Sequence, residues 1–370
     1  VDAARAVAVL GMIVVNVGPR TGQGFADVVH RLPLGRASLL FVLLAGLGIT
    51  LLTRRTRAPG SRIPWPALLW RTGVLLLGGL ALQLLDHEVS VILPTYAVLF
   101  LLAVPLLRAP DRVLLTGALT AGVLGPVAWI GLQMAQGTTY DPRPTTLLDS
   151  PPEIVHSILF SSPYPVITWL GPFLFGMWLA RQDLRDRSVQ RRMIVAGALA
   201  TLAGRALSLA LISWVGEPGD AIGFDRLVTS VAHSQMPLWL VSGTGSAVLV
   251  LGVLLRGDAF VRRRLRVLVA TGQLALTIYV GHLLVLAMLV RPEPHVLSEG
   301  VLISLAIATG AVLFATAWTA RFPRGPLEQL LRRPWARGSP PAKPRTLPPG
   351  SGAEPPVRVN LRRPPARPTT

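Results

Sequence analysis

Residues 1–19 read VDAARAVAVLGMIVVNVGP; a polar link holding His30 follows, and residues 34–55 then read LGRASLLFVLLAGLGITLLTRR. Two apolar runs flank one short loop. Each crosses a hydrocarbon core of about 30 Å only if a few flanking residues are included. The first run carries Arg5 at its start and Asn16 near its end, and the link and the start of the second run carry His30, Arg31 and Arg36. Polar groups at the rim of an apolar hairpin are costly in a membrane and point to function.

The composition sets the class. Of 370 residues, 51% are hydrophobic and only 15% charged, against roughly 25% charged in soluble domains. Mean hydropathy is +0.53. Repeated apolar runs of about 17–25 residues then define a polytopic membrane protein. There is no cysteine, which excludes disulfides and thiolate metal sites and leaves the redox compartment unread. The net charge is +18, but the arginines fall between apolar runs and in the tail, where topology accounts for them. Nucleic acid is therefore set aside as a partner. The first run holds Arg5 and Asn16 and lacks a small-residue cleavage site, which argues against a cleaved signal peptide.

Beyond the opening pair the expected spans are Pro66–Leu85, Val89–Leu107 (interrupted by Pro94 and Pro105), Val113–Met134 (kinked at Gly125-Pro126), Tyr164–Ala180, Met193–Val215, Met236–Leu255, Val267–Val290 and Val301–Trp318. Glu153–Phe160 reads as a short interfacial helix. The expected fold is thus all-α, a transmembrane bundle of about ten helices. Loops near residues 53, 108, 181 and 256 are basic, and those near 86, 135, 216 and 291 acidic or nearly neutral. The positive-inside rule makes the basic set and both termini cytoplasmic. The first loop breaks the pattern with Arg20 and Arg31 on the outside. Domain boundaries fall at 1–322 for the membrane domain and 323–370 for a basic, proline-rich tail expected to be disordered.

This topology gathers all six histidines on the outer side. His30, His87, His156, His233 and His295 lie in or beside outer loops, and His282 lies in the outward half of the ninth span. Histidine exchanges protons near neutral pH. An imidazole in the apolar setting of His282 must find a partner, and a satisfied structural histidine fits as well as a site residue. Asn16 reads either as a helix-end amide or as a donor that fixes a histidine tautomer. Arg36 snorkels or meets substrate. Arg71 is near the cytoplasmic end of its span, and Arg205 nearer mid-span. The sequence holds no GxxxxGK[ST], GxSxG, His-Glu-x-x-His or HxxxxD motif. Carboxylates are almost absent from the spans, which argues against a proton pump.

The run Asp2-Ala3-Ala4-Arg5 through Gly11-Met12-Ile13-Val14-Val15-Asn16, His30 with Gly35 after it, Leu40-Phe41, Ala45-Gly46 and the late Tyr279-Val280-Gly281-His282 resemble the heparan-alpha-glucosaminide N-acetyltransferase catalytic-domain family. That family usually has Arg-Gly where this chain has Arg5-Ala6, and a Trp and an acidic residue between the histidine and the Phe. Tyr164–Leu170 and Arg324-Gly325-Pro326-Leu327-Glu328 resemble its bacterial YeiB-type branch, which carries a domain of unknown function. The resemblance implies a multi-pass cell-membrane enzyme that moves an acyl group from acetyl-CoA without a metal. It implies His30 as base or acyl relay, supported by Asn16 and His282. Arg54, Arg55 and Arg71 would hold the CoA phosphates, and Arg36, Arg5 and Tyr279 would meet the acceptor. The expected partners are membrane lipid, acyl-CoA and an extracytoplasmic glycan or small-molecule acceptor, with a homodimer left open. Two other classes remain: a small-metabolite transporter built on proline-broken helices, and a non-catalytic scaffold docking through its tail, for which deletion after Pro323 would abolish function.

Overall fold

The computed structural model describes residues 1–19, 24–57, 61–137, 144–219 and 221–332, and among them every regular element is a helix. In chain order these are α1 (Asp2–Val17), α2 (Phe25–His30), α3 (Arg36–Leu52), α4 (Trp65–Leu82), α5 (Leu93–Leu106), α6 (Asp111–Ala135), α7 (Pro151–His156) and α8 (Val166–Leu179). There follow α9 (Arg187–Val215), α10 (Pro237–Arg256), α11 (Asp258–Arg264), α12 (Arg266–Gln273), α13 (Ala275–Val285), α14 (Leu297–Thr319) and α15 (Pro326–Leu330). Helices satisfy their own backbone hydrogen bonds, which a chain this apolar requires where water is absent.

Five of these helices, α4, α6, α9, α10 and α14, are long and apolar enough to cross a membrane. Two bent pairs raise the number to seven if each counts as one span: 151–161 with α8, bent by 63°, and α12 with α13 and the π turn Leu286–Val290, bent by 78°. Helices α3 and α5 are apolar but shorter.

Burial sorts the helices into centre and rim. Eleven of the seventeen residues of α3 are buried, against five of the twenty-nine of α9. Leu199 and Leu202 of α9 and Leu302 and Leu313 of α14 are exposed. Exposed apolar faces of this extent mark a lipid-facing wall. Close approach at the centre depends on small residues. A Cβ on Gly46 of α3 would collide with the Phe173 carbonyl, and one on Gly176 of α8 with the Leu43 carbonyl. The two helices therefore meet backbone to backbone.

The expected interruptions of the fourth span are absent. Pro94 lies in the first turn of α5, where a missing N–H costs nothing, Pro105 in its last turn, and Pro126 inside a continuous α6. The expected interruption of the fourth span by proline is therefore corrected. The ninth span breaks instead, at Leu274, between α12 and α13. The Glu328 carboxylate closes that break from outside the helix. It accepts from the amides of Leu276 (2.8 Å) and Thr277 (3.1 Å) and from the Thr277 hydroxyl (2.6 Å). An anion at a helix N-terminus satisfies the orphan donors and the dipole together. The expected tail thus opens with a folded turn, α15, held also by the Trp70 indole donating to the Leu330 carbonyl at 2.7 Å. The rest of that expected tail, from residue 333, lies outside the described residues. The expected interfacial helix at 153–160 is α7 followed by the π turn Ser157–Ser161.

Candidate active site

The C-terminal end of α1 is where the polar groups converge. The Asn16 amide lies 3.1 Å from Nε2 of His282, 266 residues away. An amide nitrogen only donates, so His282 Nε2 accepts and the ring proton sits on Nδ1. His282 is 3% exposed, and its Nδ1 makes no hydrogen bond among the described residues. Two residues beyond Asn16, the Gly18 carbonyl accepts from His30 Nε2 at 3.2 Å. That bond fixes the other tautomer for His30 and leaves its Nδ1 lone pair open. His30 ends α2 and is half-buried. Arg36 opens α3, also half-buried.

Arg291 pins this corner. Its guanidinium donates to the Asn16 carbonyl at 2.6 Å and to the His87 carbonyl at 2.7 Å, and lies 3.3 Å from the Glu88 carboxylate. His87 is fully buried and satisfied by backbone alone: Nε2 donates to the Leu82 carbonyl at 2.9 Å, and Nδ1 accepts from the Val89 amide at 3.1 Å. Burial pushes its imidazole below the ordinary histidine value, with the Leu82 hydrogen bond opposing. His87 is therefore a structural neutral imidazole. Of the six histidines, His30, His87 and His282 share this corner. His156 lies beside Gln136 and Phe160, His233 among Tyr164, Trp169 and Trp239, and His295 is exposed.

At the opposite end of α1 a cavity of about 470 Å³ opens. Arg5, Arg71, Arg324 and Arg332 stand around it, with Asp2 and Glu328. Arg5 is held by Asp2 at 2.9 Å. Phe41, Tyr96 and Phe100 also line the cavity. Phe41 stacks on Tyr96 (5.7 Å between centroids) and on Tyr279 (6.2 Å), and Tyr279 meets the His282 ring edge-on at 5.2 Å. The Tyr279 hydroxyl accepts from the Ile92 amide at 3.3 Å. One layer of rings therefore separates the arginine-rimmed cavity from the His282–Asn16 pair.

The expected site residues thus divide in two. Asn16, His30 and His282 lie at the α1 C-terminal end, Arg36 opens α3 beside Arg205 of α9, and Tyr279 lies in the ring layer. Arg71 and Arg5 line the cavity at the other end. Arg54 faces a different hollow, and neither it nor Arg55 lines this cavity. Three groups were not foreseen. Arg291 has a sequence signal, a lone Arg-Pro just after the ninth span. Glu328 was noted only as part of a motif. Tyr96 is 4% exposed and its hydroxyl makes no hydrogen bond among the described residues. It is one of only four tyrosines in the chain and follows Thr95 in a span whose other residues are apolar. Among the described residues no cluster of three His, Asp or Glu could hold a metal ion.

No curated protein matches the chain. A family model described as a protein of unknown function, DUF418, matches residues 177–337. That for the heparan-alpha-glucosaminide N-acetyltransferase catalytic domain matches residues 1–212, more than half the chain and the part that holds Asn16, His30 and the aromatic floor. The chain belongs to the heparan-alpha-glucosaminide N-acetyltransferase catalytic family.

Proposed function

We propose that the protein is an integral membrane acyltransferase of about ten spans with both termini cytoplasmic, which moves an acetyl group from acyl-CoA to an amine or hydroxyl on the outer side. The observation that carries this reading is the cavity ending on aromatic rings one layer below a histidine–asparagine pair. Its arginine rim suits the phosphates of the donor, and Arg5, expected on the acceptor side, goes to the donor side with Arg71. The ring-lined part of the cavity suits the pantetheine arm, and Phe41 and Tyr279 form the barrier the acyl end must cross. Arg36 stays with the acceptor, a glycan or other envelope component.

In this reading His30 is the general base. Its Nε2–H is committed to the Gly18 carbonyl, so Nδ1 takes the proton of the acceptor N–H or O–H. The acceptor lone pair adds to the thioester carbonyl, the C–S bond breaks, and the CoA thiolate leaves with the proton. Such a base is worth roughly 10²–10⁴-fold. Asn16 and His282 position the reacting end.

The test is thiol release from acetyl-CoA by the purified protein with an amine or amino-sugar acceptor. His30→Ala is expected to lose turnover by roughly 10²–10⁴-fold while still binding acetyl-CoA, and Arg71→Gln to weaken that binding. Full turnover in His30→Ala removes His30 from the mechanism. A wild-type protein that binds no acyl-CoA removes the reading.

A further inference from the structure

A second hollow, of about 910 Å³, lies at the same end of the bundle as the donor cavity and shares no residue with it. The two lie on different faces of the last turn of α3: Ile49 and Leu52 line the first, Thr50 and Leu51 the second. Seven arginines and two aspartates line this second hollow. The arginines arrive from three separate segments: the turn after α3, the α8–α9 connection with the first residue of α9, and the junction of α10 with α11.

Pairing leaves most of this charge uncompensated. Arg181 is 1% exposed and spent on Asp111 at 3.0 Å and on the carbonyls of Leu106, Leu107 and Ala109. Arg57 lies 3.8 Å from the same aspartate, and Arg262 pairs with Asp258. The guanidiniums of Arg54, Arg185, Arg187 and Arg256 make no hydrogen bond or ion pair among the described residues. The positive-inside rule explains an arginine in each loop. It does not explain why three loops turn theirs into one hollow, where like charges repel.

The hollow also has a lipid side. Arg187 and Arg256 line a neighbouring groove as well, with Arg191 and Arg192, and this groove continues onto Ile194, Val195 and Leu199. Leu199 is 61% exposed on the apolar wall of α9. Unneutralised guanidiniums therefore stand directly above a hydrocarbon-facing helix surface. A ligand that fits both carries a phosphate at one end and an acyl chain at the other. We propose that this hollow binds the phosphate headgroup of an anionic phospholipid whose acyl chain runs down α9, at a site separate from the donor cavity and independent of the acyl-transfer reading.

The experiment titrates the detergent-solubilised full chain with phosphatidylglycerol, phosphatidylcholine and inorganic pyrophosphate, and counts bound molecules by native mass spectrometry. Saturable phosphatidylglycerol binding in preference to phosphatidylcholine is expected. At about fivefold per arginine near an anionic surface, Arg187→Gln/Arg256→Gln is expected to weaken it roughly 25-fold. Arg71→Gln, in the donor cavity, is expected to leave it unchanged. Arg54→Gln, on an exposed turn, gives a second reading of several-fold should the double variant not fold. Equal binding of the two lipids, or undiminished phosphatidylglycerol binding in both sets of variants, overturns the proposal. Pyrophosphate that saturates the site and displaces the lipid overturns the lipid as its occupant.

Discussion

Tyr96 carries a buried hydroxyl that meets no partner among the described residues, in the lining of the cavity of about 470 Å³ and between Phe41 and Phe100. An unmet buried hydroxyl costs stability, so Tyr96→Phe is expected to fold at least as well as the wild type by thermal unfolding. If the hydroxyl instead donates to the thioester carbonyl, the same variant loses roughly 10²-fold in kcat, as for one oxyanion donor. Stability kept with turnover lost is the expected pair of results. His87 gives a second prediction at this scale. Its imidazole titrates below the ordinary value of 6.5 chiefly because it is buried. The unfolded chain then binds that proton more readily than the folded one, so its contribution is complete above about pH 6.5 and is lost as pH falls. A melting temperature that declines below that pH in the wild type is expected to decline less in His87→Gln, measured against each variant's own value at pH 8.

At the scale of the element, the break between α12 and α13 leaves two amides and a hydroxyl whose partner is a carboxylate about fifty residues further along. Glu328→Gln keeps one acceptor oxygen and loses the charge, and Glu328→Ala loses both. Destabilisation of about 1–2 kcal/mol is expected for Ala, with Gln between it and the wild type, by thermal unfolding in detergent. This element also shows where sequence reading stops. The α1–α3 hairpin is legible because its apolar runs, its rim polar groups and its loop are contiguous. The break at Leu274 is not, because Thr271-Gly272-Gln273 before it is only a short polar interruption and the residue that stabilises the break is remote. Proline misled for a local reason: in the first turn of α5 Pro94 removes no hydrogen bond the helix needs, and Pro105 removes one only in the last turn, where the helix is already ending. His282 could be marked as needing a partner, but which of the polar groups it would meet depended on packing across 266 residues.

For the whole molecule, the proposed arrangement of about ten spans makes a prediction that the absence of cysteine renders clean, since any thiol must be the one introduced. Arg185→Cys is expected to react with an impermeant maleimide only after the inner face is opened, and Leu148→Cys in intact cells; the reverse pattern inverts the topology. The charged hollows and the histidine corner then lie on opposite sides of the membrane, as donor and acceptor would. The seating of α15 changes how shortened chains should be designed. A chain cut after Pro323 would strip a charge from the middle of a bent span, and its failure would say nothing about whether the basic extension recruits a partner. The informative cut leaves Arg332 as the last residue: an enzyme so trimmed keeps the lock on its own interior, while a docking protein would lose its hook.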